Sequence, residues 1–468
     1  MNWIKTNIYH LLGVLTVLFF LFGQGVTWYA FGGDTEAYYI YFAHHIEVKP
    51  LYPLFFHVLN MIFGDKLYLY AAAVIQIVLA FRCIMWFLYY LKKWFRLEAF
   101  SIFCVWVASL LPFVLLLPED PIPHVLMTES FTYPLLYVYV LIVLKGIYEG
   151  KIKYLFGSTL FVAFLTLIRG QMLFLMAVTL LAFLYYLIKN KVKRVTTILA
   201  FGAFVLICVW GQGMLTKGYE KVFFDSPAQD YSAQTLVQKA LYCSEEADNA
   251  LFDDEIEREI FEKTYAGMQE EQTTWLYSTG DLWDWKHITG SFGANSYRVG
   301  DVIREVLQEH GMWSDDSLEQ ENLVLDYSRR LSNKLISAHL GRCLQVSVKM
   351  IPAGFVSTVL FHKESIYLLI HIATVFLYLA AIGVSIFISK KSGHLLQETE
   401  YMLLIVITAS VNVVASNLVH FGLQRYLAYT VGLFYVGAYL LMRRCFLMWK
   451  GNSETRKFPF RAGINRLN

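Results

Sequence analysis

The stretch Tyr154–Ile188, YLFGSTLFVAFLTLIRGQMLFLMAVTLLAFLYYLI, decides how this chain is laid out. A helix needs about 20 apolar residues to cross a bilayer, so the run is too long for one upright span. Arg169-Gly170 breaks it near its middle. Read as a tight hairpin with Arg169 at the tip, it puts five basic clusters on one side of the membrane. These are Lys92-Lys93-Trp94-Phe95-Arg96, Lys145 to Lys153, Lys189 to Arg194, Lys390-Lys391 and Arg443-Arg444. An excess of Lys and Arg marks the cytoplasmic side of short loops. The hairpin is therefore the expected arrangement, with its tip outside.

Outward from the hairpin, further spans are expected near Tyr9–Phe31, Leu67–Leu91, Leu97–Leu117, Val125–Leu144, Val195–Leu215, Ser365–Ser389, Tyr401–Val419 and Tyr426–Met442. The expected fold class is an all-α polytopic membrane protein of about ten transmembrane helices, with both termini cytoplasmic. Composition excludes an ordinary soluble domain. The chain is 57% hydrophobic and 16% charged, with mean hydropathy +0.47, where soluble domains carry about 25% charged residues. No small-x-small cleavage site follows Leu11–Phe31, so the first span is expected to be an uncleaved anchor.

The polar residues are unevenly shared. Residues 216–342 hold 24 acidic against 12 basic side chains, leaving 27 basic and 13 acidic for the rest. An acidic insert is thus set into a basic membrane body. The expected division is a seven-span module at 1–215, an extracytoplasmic insert at 216–364, a second membrane module at 365–446 and a basic cytoplasmic tail at 447–468. Amphipathic patterning over Asp301–His310 and Leu318–Ile336 predicts helices in the insert, and the acidic run Asp253–Glu259 predicts a solvated helix face. Leu344–Phe361 is expected to be an interfacial helix, because a span there would move Lys390-Lys391 outside. Cys83, Cys104, Cys208 and Cys445 read as small apolar residues. Cys243 and Cys343 lie in the insert, where spacing neither supports nor forbids a disulfide. No zinc-ligand spacing and no Gly-rich phosphate loop occurs, and no nucleic-acid partner is implied.

Several residues could carry chemistry. Asp34 follows the first span in Phe31-Gly-Gly-Asp-Thr-Glu-Ala-Tyr-Tyr39. A carboxylate at a bilayer edge is costly to desolvate and usually lines a cavity, and Gly32-Gly33 lets the backbone bend tightly beside it. Next comes the aromatic-rich Pro50-Leu-Tyr-Pro-Leu-Phe-Phe56. Glu129, in Thr128-Glu-Ser-Phe131, either faces the bundle interior or is a helix-start carboxylate favoured by the dipole. Arg169 either clamps an anion with its paired donors or snorkels to headgroups. Arg425-Tyr426 ends His420-Phe-Gly-Leu-Gln-Arg-Tyr426. Lys49, His362 and Lys363 stand where the chain meets the membrane, as anchors or together as a cationic funnel for a lipid phosphate.

In this order the motifs resemble those of the GT-C superfamily, in particular its bacterial mannosyltransferase and aminoarabinose-transferase-like families. The likeness lies in the acid after span one, the Pro-x-Tyr-Pro-x-Phe-like stretch, the acid opening span four, the Leu-x-Arg hairpin and the Arg-Tyr before the last span. Gly170 stands where Pro is usual, and no Glu lies two residues upstream of Arg425. The resemblance implies a membrane glycosyltransferase that takes a sugar from a polyprenyl-phosphate donor. The acceptor would be an extracytoplasmic glycan, lipid or protein, reached by inverting displacement on the outer face of the cell membrane. Asp34 would take the acceptor hydroxyl proton, with Glu36 as the alternative acid nearby and Glu129 as a second catalytic acid. Arg169, Arg425, Tyr426, Lys49, His362 and Glu36 would bind substrate. No cofactor is expected; Asp34 with Glu129 could hold a divalent cation, but Arg and Lys can neutralise the leaving phosphate instead. Two other classes stay open: a glycopolymer polymerase or ligase using a polyprenyl-diphosphate donor, and a transporter or flippase. The large Trp-containing insert and the absence of an inverted repeat stand against the last.

Overall fold

Backbone polar groups that meet lipid must be satisfied within their own segment, and the helix does this. The computed structural model describes residues 2–22, 49–115, 125–192, 194–223, 232–280, 284–360, 367–419 and 424–450. Among them it is helical, without a β-strand. The first half holds α1 (Asn2–Phe22), α2 (Leu51–Phe63), α3 (Tyr68–Phe95), α4 (Ala99–Leu115), α5 (Glu129–Glu149), α6 (Lys153–Ile168), α7 (Phe174–Lys189) and α8 (Val195–Phe223). The insert holds α9 (Ser232–Tyr242), α10 (Glu255–Glu270), α11 (Trp285–Glu309) and α12 (Ser317–Ser357). The chain ends in α13 (Tyr367–Ser392), α14 (Gln397–Val419), the short α15 (Gln424–Leu427) and α16 (Val431–Trp449).

Among the described residues seven helices are long and apolar enough to cross a membrane: α3, α5, Gly170–Lys189 with α7, α8, α13, α14 and α16. Shorter apolar stretches occur in α1, α2, α4 and α6. Of these, α1, α4 and α6 stand where the remaining expected spans fall. The hairpin is present. α6 ends at Ile168, Arg169 is extended (φ −149°, ψ 117°), and a 3-10 turn over Gly170–Leu173 leads into α7. Tyr186 Oη donates to the Gly150 carbonyl at 3.0 Å, so the far end of α7 returns to the start of α6.

The basic clusters gather at one end of the bundle, and side-chain contacts join them there. Arg443 donates to the carbonyls of Phe95 and Arg96 (both 3.3 Å), and Lys145 Nζ to Tyr90 Oη (3.2 Å). Tyr148 Oη donates to the Gln397 carbonyl at 2.7 Å, and Lys189 pairs with Glu400. α5 lies at the centre: 83% of its apolar window is buried, against 17% for α8 and 28% for α13, which offer their sides to lipid. Gly432 allows α16 to press against Tyr137, Pro112 and the Ala108 carbonyl, where a Cβ would overlap all three. Small residues serve close helix approach in this way within membranes.

The insert has its own core, drawn from Leu241 in α9, Phe261 in α10, Ile303 in α11 and Leu331 in α12. α12 kinks at His339 and runs on to the end of the bundle, where Gly354 lies against Val413 and Asn417 of α14. Lys239 ties the two parts. Its Nζ donates to Ser347 Oγ (3.0 Å) and to the carbonyls of Asn417 (2.9 Å) and Leu418 (2.8 Å), which α14 leaves unpaired at its end. Burial lowers the Lys239 pKa to about 8.

α8 runs on to Phe223 and α16 to Trp449. One expectation needs correction. The acidic run is not a uniformly solvated face. Asp254 caps α10 by accepting from the amides of Ile256 and Glu257. Glu257 shares the buried face of α10 with Ile260, Phe261 and Thr264, and it pairs inward with Lys334 at 2.9 Å and Arg330 at 3.6 Å.

Candidate functional site

At the insert end of the bundle, three chain segments bring charged side chains together. The extended backbone at Arg169 interrupts the hairpin helices and lets the guanidinium turn inward instead of out to headgroups. Its Nη1 lies 2.7 Å from Glu129 Oε2 and donates to Thr128 Oγ1 at 2.5 Å. Its Nε donates to Gln171 Oε1 at 3.3 Å, and its plane sits 4.8 Å from the centre of the Tyr426 ring. The side chains of Arg169 and Glu129 are only 11% and 6% exposed. The anchor reading of Arg169 is thereby set aside, since a snorkelling side chain reaches water. Glu129 does open α5, as expected, and it also faces the bundle interior.

A polar girdle fixes this pair. Gln171 Nε2 donates to Asn412 Oδ1 (3.1 Å), Ser416 Oγ (3.2 Å) and the Tyr426 carbonyl (2.8 Å). Asn412 Nδ2 donates to the same carbonyl at 2.9 Å. Tyr426 is thus held by its backbone while its ring covers Arg169. Beneath, Tyr133 stacks on Tyr429 with centroids 4.2 Å apart, and Thr132 Oγ1 meets Tyr429 Oη at 3.1 Å. Lys49 approaches from another direction: its Cε lies 3.0 Å from where a Cβ on Gly170 would be. The glycine leaves room for that lysine stem over the hairpin tip.

The structure therefore brings together Glu129, Arg169, Tyr426 and Lys49. Asp34, Glu36, His362 and Lys363 lie outside the described residues. Arg425 falls in α15, and its side chain lies outside the described ones. Any cation shared by Asp34 and Glu129 falls outside the described geometry for the same reason. Sequence reasoning missed Thr128, Gln171, Asn412 and Ser416. A signal for two of them was present, because Asn412 and Ser416 interrupt the apolar run Tyr401–Val419, and polar residues within a span seek partners inside the bundle.

Chemically, a guanidinium beneath an aromatic ring, with a lysine stem against the neighbouring glycine, suits an anionic group at one end of an apolar bundle. Arg can present paired donors to a phosphate or carboxylate. A groove of about 830 Å³ between α1 and α3, lined by His10, Gly13, Val17, Phe81, Arg82 and Trp86 among others, shares no residue with this cluster. No family model matches this chain, and no curated protein or solved structure matches it either.

Proposed function

We propose that the chain is a ten-span membrane glycosyltransferase of GT-C type, using a polyprenyl-phosphate-linked sugar at the insert end of the bundle. The observation that carries this reading is the convergence of Arg169, Glu129 and Tyr426, with the Lys49 stem against Gly170 beside them, at one end of the bundle. The hairpin and the last-span motif meet there, in the order the family resemblance implies.

In this reading Arg169 and Lys49 receive the donor phosphate, with Arg425 beside Tyr426 as a further cation. Before the donor arrives, Glu129 holds the guanidinium in place; the phosphate then competes with or joins the carboxylate. As the C1–oxygen bond to phosphate breaks, charge grows on the leaving group, and fixed cations in a water-poor site stabilise it. Asp34 accepts the acceptor hydroxyl proton as the new bond forms on the opposite face of the sugar. The insert covers the site and selects the acceptor, and the basic end faces the cytoplasm.

The test is a turnover assay on purified protein with sugar-loaded polyprenyl monophosphate and, separately, polyprenyl diphosphate. Consumption of the monophosphate donor with release of polyprenyl phosphate is the expected result. Turnover of the diphosphate alone would make the protein a polymerase or ligase, and movement of an intact lipid without bond cleavage would make it a flippase.

A further inference from the structure

Two of the six cysteines lie in the insert, and the fold brings them together from distant parts of the chain. Cys243 directly follows α9, and Cys343 lies beyond the kink in α12. They are 0% and 5% exposed and share a small cluster with Tyr242, Ile288, Phe292, Val346 and Met350. Both are free, buried thiols, and the helices that carry them pack against each other.

The backbone is fixed on both sides of the pair. Arg342 Nη1 donates to the Cys243 carbonyl at 2.6 Å, and Arg342 Nη2 to Glu245 Oε1 at 2.5 Å. Ser347 Oγ donates to the Cys343 carbonyl at 3.0 Å and itself accepts from Lys239. The backbones that carry the two cysteines are therefore held in register.

We propose that Cys243 and Cys343 are joined by a disulfide that staples α9 to α12 and locks the insert onto the bundle. This rests on the reading above in one respect: it needs the insert on the oxidising, extracytoplasmic side, where disulfides persist. The two thiols also differ in reactivity. In the folded insert the neighbouring Cys243, with Lys239 and Arg342, holds the Cys343 thiol below its ordinary range, while Cys343 and burial push that of Cys243 up.

The oxidant is a disulfide-bonded thiol oxidase, acting before the insert closes. Cys343 thiolate attacks one sulfur of the oxidase disulfide and releases the other as a thiolate. Cys243 gives up its proton and attacks Cys343 Sγ, displacing the oxidase sulfur bonded there. Two thiols lose two protons and two electrons, and the oxidase disulfide becomes two thiols. The staple closes a long loop, the case in which a cross-link restricts the unfolded chain most. It also sits beside Lys239, whose ammonium holds the end of α14, the helix that carries Asn412 and Ser416.

Peptide mapping decides it. Cells are quenched in acid, the protein is alkylated in denaturant without reductant, and trypsin is applied. Peptides Ala240–Arg258 and Cys343–Lys349 each hold one cysteine. They are expected joined, lighter than their sum by two hydrogens, and separate only after reduction. Alkylated thiol at both positions would overturn the staple. Ser317→Cys, probed in intact cells with an impermeant maleimide, then separates the causes. Labelling from outside leaves the topology standing and only the staple wrong; labelling only after lysis removes both. In the full-length protein, Cys243→Ser, Cys343→Ser and the double variant should each lower the unfolding temperature by the same amount, roughly 5–15 °C. A double variant lower by the sum of the singles would also count against the staple, because a shared bond can be lost only once.

Discussion

Two buried carboxylates close opposite ends of the same bundle, and they are built differently. At the basic end Glu400, in the first turn of α14, is 2% exposed and pairs with Lys189, while Tyr185 donates to it at 2.5 Å. Lys189 is 35% exposed, so its ammonium keeps contact with water. Both partners come from the last turns of α7, and the pair pins one helix end to the start of another. At the insert end Glu129 also stands in a first turn, but its partner Arg169 is 11% exposed and is covered by Tyr426. Side chains from the hairpin tip, α5, α14 and the segment before α16 converge there. The helix dipole explains either carboxylate alone. The first arrangement ends with helix pinning, whereas the second sets a guanidinium between a carboxylate and an aromatic ring, with polar side chains from other segments around it.

The largest effect should come from the base. Asp34→Asn keeps the shape and removes the basicity, so turnover should fall at least about 100-fold while donor binding survives. Near wild-type transfer by this variant would move the base to Glu129. Glu36→Gln should do far less.

Replacing each ion pair as a whole separates a site from a staple. Removing one partner of a buried pair costs about 3–5 kcal/mol, but replacing both by apolar residues is often neutral. Glu400→Met with Lys189→Met should therefore keep both folding and turnover. Glu129→Met with Arg169→Met should keep folding, measured by detergent thermal melt, and lose donor turnover. Equal activity in both double variants would make the insert-end pair a staple too. Arg169→Lys should restore turnover only in part, since lysine lacks the paired donors.

How much of this was legible in the sequence follows from the kind of signal each feature leaves. The hairpin was readable because Arg169-Gly170 interrupts an apolar run and charge asymmetry fixes the remaining choice. The helical insert was readable from periodicity in α11 and α12. The inward turn of Glu257 was not, because an acidic run looks solvated until the face carrying Ile260 and Phe261 is known to be buried. Glu129 and Arg169 were each visible, but their pairing was not, since it depends on how α5 packs against the hairpin. Cys243 and Cys343 met for a similar reason: α9 and α12 pack together from opposite ends of the insert, which spacing does not encode.

A smaller effect is expected at Tyr426, whose backbone and ring do separate things. Its carbonyl accepts from Gln171 and Asn412, and any residue supplies that. Its ring lies over Arg169, a contact worth about 0.5–2 kcal/mol. Tyr426→Phe should therefore hold donor affinity close to wild type. Tyr426→Leu should weaken it by roughly 2- to 30-fold, read as a rise in donor KM with stability little changed. Equal KM values for the two variants would show that the ring does not orient Arg169.

The smallest effect tests whether Lys49 belongs to the insert-end site at all. A methyl group on Gly170 would lie 3.0 Å from Lys49 Cε, near the far end of a flexible side chain. The lysine can swing aside at little cost to folding, so Gly170→Ala should act mainly by displacing its ammonium. If Lys49 helps to hold the donor phosphate, Gly170→Ala and Lys49→Ala should each raise donor KM by a similar small factor, and the double variant should be no worse than either alone. Such failure of additivity marks residues that act through one interaction. Fully additive losses would mean that Gly170 matters for the hairpin turn itself, and Lys49 would leave the site. The comparison would then rest on Arg169, Glu129 and Tyr426.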